Sequence, residues 1–383
     1  MAQTKRPSNA EHPVALGSFR SWMKLLRRSE GIDSAYVPRA AFVSLTTLLT
    51  SPLRLWEWVR YGRRVRSTAI HPAPVFIMGH WRSGTTHLHN LMCQDKNLGY
   101  LSTFQAMAPG FCLVGETVIK QFLAKQAKSR YPTRLIDNIP LAFDGPQEDE
   151  FALANLSPFS FIHSFSFPQQ AQGFFERCVL FDSLSEAARS RWIDTYLALL
   201  RKATLASGGK RLVVKNCAHT ARIRTLLELF PDAKFIHIHR NPYHVFLSTL
   251  YLYNTVLPRS QLQEIEPGQV ETCVLRFYDR LMRRFLADRS LIPPGNLVEI
   301  RFEDLEAAPV AQLRQVYDGL GLPGFAAAES DFRSYIDSVA DYKKNTYEMD
   351  GNIIAKVNRH WQFAFGEWSY DRLEPFPSAG QRF

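Results

Sequence analysis

The chain has 383 residues, of which 46% are hydrophobic and 21% charged, with a net charge of +10 and a pI near 9.4. That is an ordinary globular composition, long enough for one large α/β domain with extensions or for two domains. The basic balance calls for an anionic partner. No zinc-finger, RNP-type or basic-zipper pattern is present, which argues against nucleic acid and leaves a membrane surface or a phosphorylated small ligand.

Residues 1–20 read as a loose polar tail, and residues 1–15 lack a signal-peptide pattern. Residues 21–66 read as helical and amphipathic. Ala40 to Val59 is the most hydrophobic early stretch, but Pro52, Arg54 and Glu57 spoil it as a membrane span. Leu53, Trp56, Trp58 and Val59 beside Arg54 and Arg60 suit a helix lying on a membrane surface. A helix packed on the core, or at a contact between two copies in a homodimer, is the plainer reading. Residues 1–70 are therefore read as a tail plus amphipathic helical extension, and 71–383 as the main domain.

The apolar run Val75-Phe76-Ile77-Met78 enters Gly79-His80-Trp81-Arg82-Ser83-Gly84-Thr85-Thr86. A buried-type strand thus runs into a tight loop with glycines five residues apart, and a helical pattern follows over Thr85 to Met92. Backbone N–H groups of such a loop, with the helix N-terminus, converge on an anion. The triphosphate-binding version of the loop has lysine after its second glycine. Here that position is Thr85, and the loop's cation is Arg82, three residues earlier.

Further strand readings are Leu212–Lys215, Phe235–His239 and Leu297–Arg301, each followed by a loop and a helical pattern. Strand–helix alternation predicts a parallel sheet with helices on its faces, a P-loop-like three-layer α/β fold whose loops meet at the carboxyl ends of the strands. Residues of about 100–205 form a helical insert between the first two of these strands. Phe159, Phe161, Phe165, Phe167, Phe174 and Phe175 crowd one part of it, either as a substrate-facing lid or as a subdomain with its own small core. The five cysteines are odd in number and widely spaced, without a C-x-x-C pair. No metal site or disulfide framework is expected, and a reducing, cytoplasmic compartment fits.

The strand ending at Arg240 leads to Pro242, which suits a first helical turn, and Ser248 falls about two turns along that helix. An arginine fork and a serine hydroxyl so placed can grip one phosphate. This pair, together with Arg82-Ser83-Gly84-Thr85-Thr86, resembles the sulfotransferases that use 3′-phosphoadenosine-5′-phosphosulfate (PAPS). The likeness is nearest to bacterial-type members that share features with tyrosylprotein sulfotransferases, and it covers roughly residues 74–305.

The resemblance implies sulfuryl transfer from PAPS to a hydroxyl or amine, with the bisphosphate PAP as product. Arg82, Ser83, Gly84, Thr85 and Thr86 would hold the 5′-phosphosulfate end, and Arg240 with Ser248 the 3′-phosphate. Lys215 matches a strand-end lysine near the transferring group. In-line displacement at sulfur moves charge onto the bridging oxygen of the leaving nucleotide, so Arg82 and Lys215 are the expected stabilisers.

A general base should come from Gln147-Glu148-Asp149-Glu150, with Glu148 first and Glu150 second, against a plain helix-dipole role for these acids. His80, His163 and His219 are rivals. The chain departs from the family where His87 replaces an adenine-stacking tryptophan and Phe302 replaces a tyrosine. A basic 3′-phosphate loop is also missing, for which Lys343, Lys344 or Lys356 are candidate substitutes. The phenylalanine-rich insert hints at a small-molecule or lipid-like acceptor. Two other readings stay open: a phosphotransferase with a degenerate P-loop, disfavoured by Thr85 and by strands ending in Lys215 and Arg240, and a non-catalytic membrane-surface protein.

Overall fold

A computed structural model describes residues 12–130, 142–340, 345–375 and 381–382. Strand β1 (Val75–Met78) is sealed at every position, as a continuous apolar run covered on both faces should be. Strands β2 (Leu98–Gly99), β3 (Arg211–Lys215), β4 (Lys234–His239) and β5 (Leu297–Arg301) join it in a sheet of order β2-β3-β1-β4-β5. Every pairing in that sheet is parallel. The chain leaves β1 towards one side of the sheet and crosses to its other side after β3. The carboxyl end of β1 is therefore where connections diverge, the usual place for a ligand in such sheets.

In chain order the helices are α1 (Phe19–Arg28), α2 (Val37–Leu49), α3 (Ser51–Ser67) and α4 (Thr85–Met92). The insert between β2 and β3 carries α5 (Thr103–Met107), α6 (Val118–Arg130), α7 (Asp149–Leu156), α8 (Ala171–Phe174) and α9 (Glu186–Ala206). Helix α10 (Ile223–Leu229) links β3 to β4, and α11 (Pro242–Ser260) and α12 (Gln269–Asp288) link β4 to β5. After β5 come α13 (Phe302–Ala307), α14 (Pro309–Leu320), α15 (Phe325–Ser338), α16 (Gly351–His360) and α17 (Gln362–Glu367). A second, two-stranded antiparallel sheet pairs β6 (Glu348–Met349) with β7 (Gln381–Arg382).

Alternating side chains of a strand face opposite sides of its sheet, and the core divides accordingly. Val75 and Ile77 pack with Leu88, Leu91, Val316 and Phe332 on the side of α4, α14 and α15. Phe76 and Met78 face the larger cluster, which takes in α9, α11, α12 and much of the insert. The three-layer reading holds, and the four strands read from sequence begin within one residue of the observed ones.

Two expectations need correcting. The phenylalanines crowded between residues 159 and 175 do not form a core of their own, although Phe104, Phe111 and Phe143 elsewhere in the insert make a small separate cluster. Phe161, Phe165, Phe167, Phe174 and Phe175 are buried within the main cluster, and Phe175 stacks on Phe277 of α12 at 4.2 Å. The N-terminal tail is not loose from residue 12 onward. His12 and Val14 are buried, the His12 ring meets Trp22 edge-on at 5.7 Å, and Ser18 caps α1 by accepting from the Ser21 N–H. The apolar surface of Val14 and Trp22 draws this short segment onto the core.

Candidate active site

The loop after β1 is set by backbone conformations that glycine tolerates. Gly79 has φ of 146°, and a Cβ there would lie 2.3 Å from the Ile238 carbonyl oxygen. Gly84 has φ of 99°, and a Cβ would lie 2.1 Å from the Phe302 ring. Both positions therefore exclude larger residues, through a left-handed backbone and a close approach. Arg82 also adopts positive φ, 71°, an uncommon conformation for a non-glycine residue and one that clusters at functional sites. Thr220 ties the loop to the segment after β3: its hydroxyl oxygen accepts from Gly79 N–H at 2.9 Å. Ser83 donates to the His80 carbonyl at 2.7 Å. Thr85 and Thr86 open α4, so their N–H groups are among those a helix N-terminus leaves unbonded.

The structure brings Arg240 and Ser248 to the loop from β4 and α11. Asn241 caps α11 by accepting from Tyr243 N–H, with Pro242 in the first turn. The buried Ser248 hydroxyl accepts from Arg82 Nε at 2.8 Å. Arg240 Nη1 donates to the Arg82 carbonyl at 3.3 Å, and its guanidinium lies 4.3 Å above the Phe302 ring. Burial lowers the Arg240 pKa, partly offset by Glu303 and Glu306. Two residues missed in the sequence complete this corner. Phe302, noted only as a departure, is the plate under Arg240 and against Gly84. Tyr347 places its hydroxyl 3.1 Å from Ser248 Oγ, a contact 99 residues distant in sequence that no local pattern announces.

On the other side of the loop, Lys215 ends β3 with Ile77 as its register partner on β1. Its Nζ donates to Glu148 Oε2 at 2.5 Å, and both side chains are 7% exposed. The other Glu148 oxygen accepts from Cys217 N–H at 3.3 Å.

The next two acids continue the pattern down the same segment. Asp149 accepts from Asn216 and lies 3.2 Å from His219 Nε2. Glu150 accepts from Asn216 Nδ2 at 2.8 Å, Arg222 Nη1 at 2.9 Å and Phe161 N–H at 2.8 Å. Burial by itself would raise the Glu150 pKa, but the Arg222 charge and these hydrogen bonds override it and hold the pKa down to about 2. Glu150 is 0% exposed, so the structure seals this second candidate base inside an ion pair.

The histidine rivals are enclosed too. His80 donates Nδ1–H to the Trp81 carbonyl at 2.7 Å, and burial lowers its pKa to about 4. His163 is buried against the Ser157 carbonyl, its pKa also lowered by burial to about 4. His219 is locked between Asp149 and the Tyr196 hydroxyl, 2.8 Å away. His87, on the first turn of α4, is half-buried. Lys356 pairs with Glu271 of α12 at 2.7 Å. Lys343 and Lys344 lie outside the described residues.

The glycine loop after β1, Arg240 and Ser248 beside Arg82, and a buried lysine–carboxylate pair thus meet at one end of one sheet. Residues 74–327 match the sequence model of the sulfotransferase family. The chain belongs to that family. Its members are enzymes that use PAPS, and this protein is a sulfotransferase by the same assignment. It is 32% identical over 370 residues to the omega-hydroxy-beta-dihydromenaquinone-9 sulfotransferase Stf3 of Mycobacterium bovis, a match spanning 96% of this chain and 93% of that protein. Among solved structures, the sulfotransferase STF9 of Mycobacterium avium superposes with a TM-score of 0.70 at 18% identity, covering 98% of this chain and all of that one. STF1 of Mycobacterium tuberculosis H37Rv gives 0.66 at 20% identity, covering 90% and 91%. Both share the fold.

Proposed function

We propose that this sulfotransferase moves the sulfuryl group of PAPS onto a hydroxyl of an apolar, lipid-like small molecule, with Lys215 and Glu148 as the working pair. The observation that carries this reading is the Lys215–Glu148 contact at the carboxyl end of β3, beside the phosphate loop. When bound, PAPS supplies an activated sulfur with a good leaving group. The chain's residues supply position and charge. Loop residues 82–86 and the start of α4 hold the 5′-phosphate. Arg240 and Ser248 hold the 3′-phosphate, with Phe302 fixing the guanidinium plane. Arg82 and Lys215 would stabilise the charge that develops on the bridging oxygen.

In the structure Lys215 occupies Glu148, so that carboxylate is engaged before the acceptor arrives. We assign Lys215 the exchange that activates it: its ammonium turns to the sulfuryl oxygens, and Glu148 is released to take the acceptor's proton as the acceptor oxygen bonds to sulfur. The sulfur–oxygen bond to the nucleotide breaks in the same displacement. Glu150 holds the insert in place through Arg222 and takes no proton.

The acceptor class rests on the relative from Mycobacterium bovis, which is named for a hydroxylated dihydromenaquinone. Two measurements test the reading. Titration calorimetry with adenosine 3′,5′-bisphosphate should show saturable binding, and its absence with folded protein would sink the donor assignment. Incubation with PAPS and a hydroxylated polyprenyl quinone should give a sulfated product by mass spectrometry. Transfer only to small polar alcohols would overturn the acceptor class.

A further inference from the structure

Helices α2 and α3 are turned the wrong way round for a water-facing surface. On α2 the inward side carries Ala40, Val43 and the polar Arg39 and Thr47, all buried. The outward side carries Val37, Ala41, Leu45, Leu48 and Leu49, all exposed. Their spacing is that of one helix face. On α3 the buried side carries Glu57, which accepts from the N–H groups of Leu113 and Val114 and pairs with Lys202. Leu55, Trp56, Trp58 and Val59 point outward, with Trp58 64% and Val59 69% exposed.

The same face then changes character within α3. Arg60, Arg63, Arg64 and Arg66 are all exposed, and the one acid between Val37 and Ser67 is the buried Glu57. The exposed charge of this surface is therefore wholly positive. Leu53 of α3 shares a small apolar cluster with Ile119 and Leu123 of α6, and α6 exposes Val118 and Phe122.

We propose that the outer face of α2 and α3 is a docking surface for a bilayer carrying anionic lipids. Leucine, valine and tryptophan enter the headgroup–acyl boundary, and the arginines at the end of α3 bind lipid phosphates. A patch this apolar is uncommon on a monomer's water-facing surface. Tryptophans beside arginines are the composition of an interfacial helix, and juxtaposed arginines are drawn to anionic headgroups. A second copy whose two-fold axis passed through the arginine cluster would meet it with an identical one, a like-charge contact that costs energy. The surface lies outside the catalytic corner, and the inference does not require the acceptor to be a lipid.

Vesicle flotation tests it on the full chain. Protein is mixed with phosphatidylcholine vesicles or with vesicles that also contain phosphatidylglycerol, at low and high salt. The wild type should float with the anionic vesicles and much less with neutral ones. The combined variant Leu49→Ser, Trp56→Ser, Val59→Ser should lose partitioning by more than about tenfold. The variant Arg60→Gln, Arg63→Gln, Arg64→Gln should bind weakly and lose its salt dependence. Calorimetry with adenosine 3′,5′-bisphosphate should be unchanged for both, which certifies their fold and separates this surface from the active site. Wild-type protein that stays with neither vesicle overturns the proposal. So does a wild-type dimer by light scattering that the apolar variant converts to monomer without any vesicle binding. Flotation uses no acceptor, so a failed transfer assay leaves its outcome intact.

Discussion

Arg240 sits on the face of Phe302 with one nitrogen already committed to the loop carbonyl. Its position is fixed before any ligand arrives, so losing it removes a preorganised contact. Arg240→Ala should weaken adenosine 3′,5′-bisphosphate by about 1.5–3 kcal/mol, the range for a charged hydrogen bond. Adenosine 5′-phosphate should be little affected, and equal weakening of both in calorimetry would refute the assigned role. Lys215 and Glu148 make a sharper case, because each is the other's buried partner. Lys215→Met alone should destabilise the fold by about 3–5 kcal/mol, since it strands a buried carboxylate. Lys215→Met with Glu148→Gln should recover most of that loss in thermal melts. Transfer should stay reduced by at least about a hundredfold in the double variant, because stability and catalysis draw on the same pair differently. Recovery of activity along with stability would reduce the pair to a structural role.

At the level of elements, the phosphate loop is held by contacts a Cβ cannot share. Gly84→Ala adds a methyl at a φ of 99° against the Phe302 ring. It should lower the melting temperature and abolish bisphosphate binding. Trimming the obstacle with Phe302→Ala should return part of the stability but leave Arg240 without its plate. The elements themselves were readable where apolar residues cluster: β1, β3 and β4 are buried along nearly their whole length, while β5 is mostly half-buried and runs directly into α13. β2 was not read because two residues carry no period. The pairing of β6 with β7 was not read because 31 residues separate their ends and neither has a hydrophobic pattern. In the site, Arg82, Arg240 and Ser248 were legible because they lie on the local strand–loop–helix pattern. Tyr347 and the Arg222–Glu150 pair were not, because their partners are fixed only by tertiary packing. The phenylalanines of the insert were ambiguous for the same reason. Aromatic crowding reads alike in a lid and in a core.

Across the whole molecule, buried and half-buried histidines set the acid limb of stability. Burial lowers the pKa of His12, His89 and His239 to about 3, and of His80 and His163 to about 4. Unfolded, each titrates near 6.5. A depressed folded pKa means the unfolded chain binds the proton first, so these groups stabilise the fold above pH 6.5. That contribution is lost as pH falls below 6.5 and is gone once the folded values are passed. Glu150 follows the same sign at lower pH: its contribution is present above about 4.5 and lost towards 2. Urea unfolding should therefore show stability falling between pH 7 and 5.5, before the carboxylates titrate. Flat stability across that interval would contradict buried neutral histidines.

The run of three acids at the start of α7 fastens to residues 215–222, one partner after another. This has a practical consequence for exchanging acceptor preference between relatives. An insert transplanted alone would bring its own acids to a foreign strand end and leave Lys215 and Arg222 stranded in the interior. The minimal exchangeable unit is thus discontinuous: the insert together with the turn after β3. Grafts that respect that seam should fold, and those cut at the insert's sequence boundaries should not.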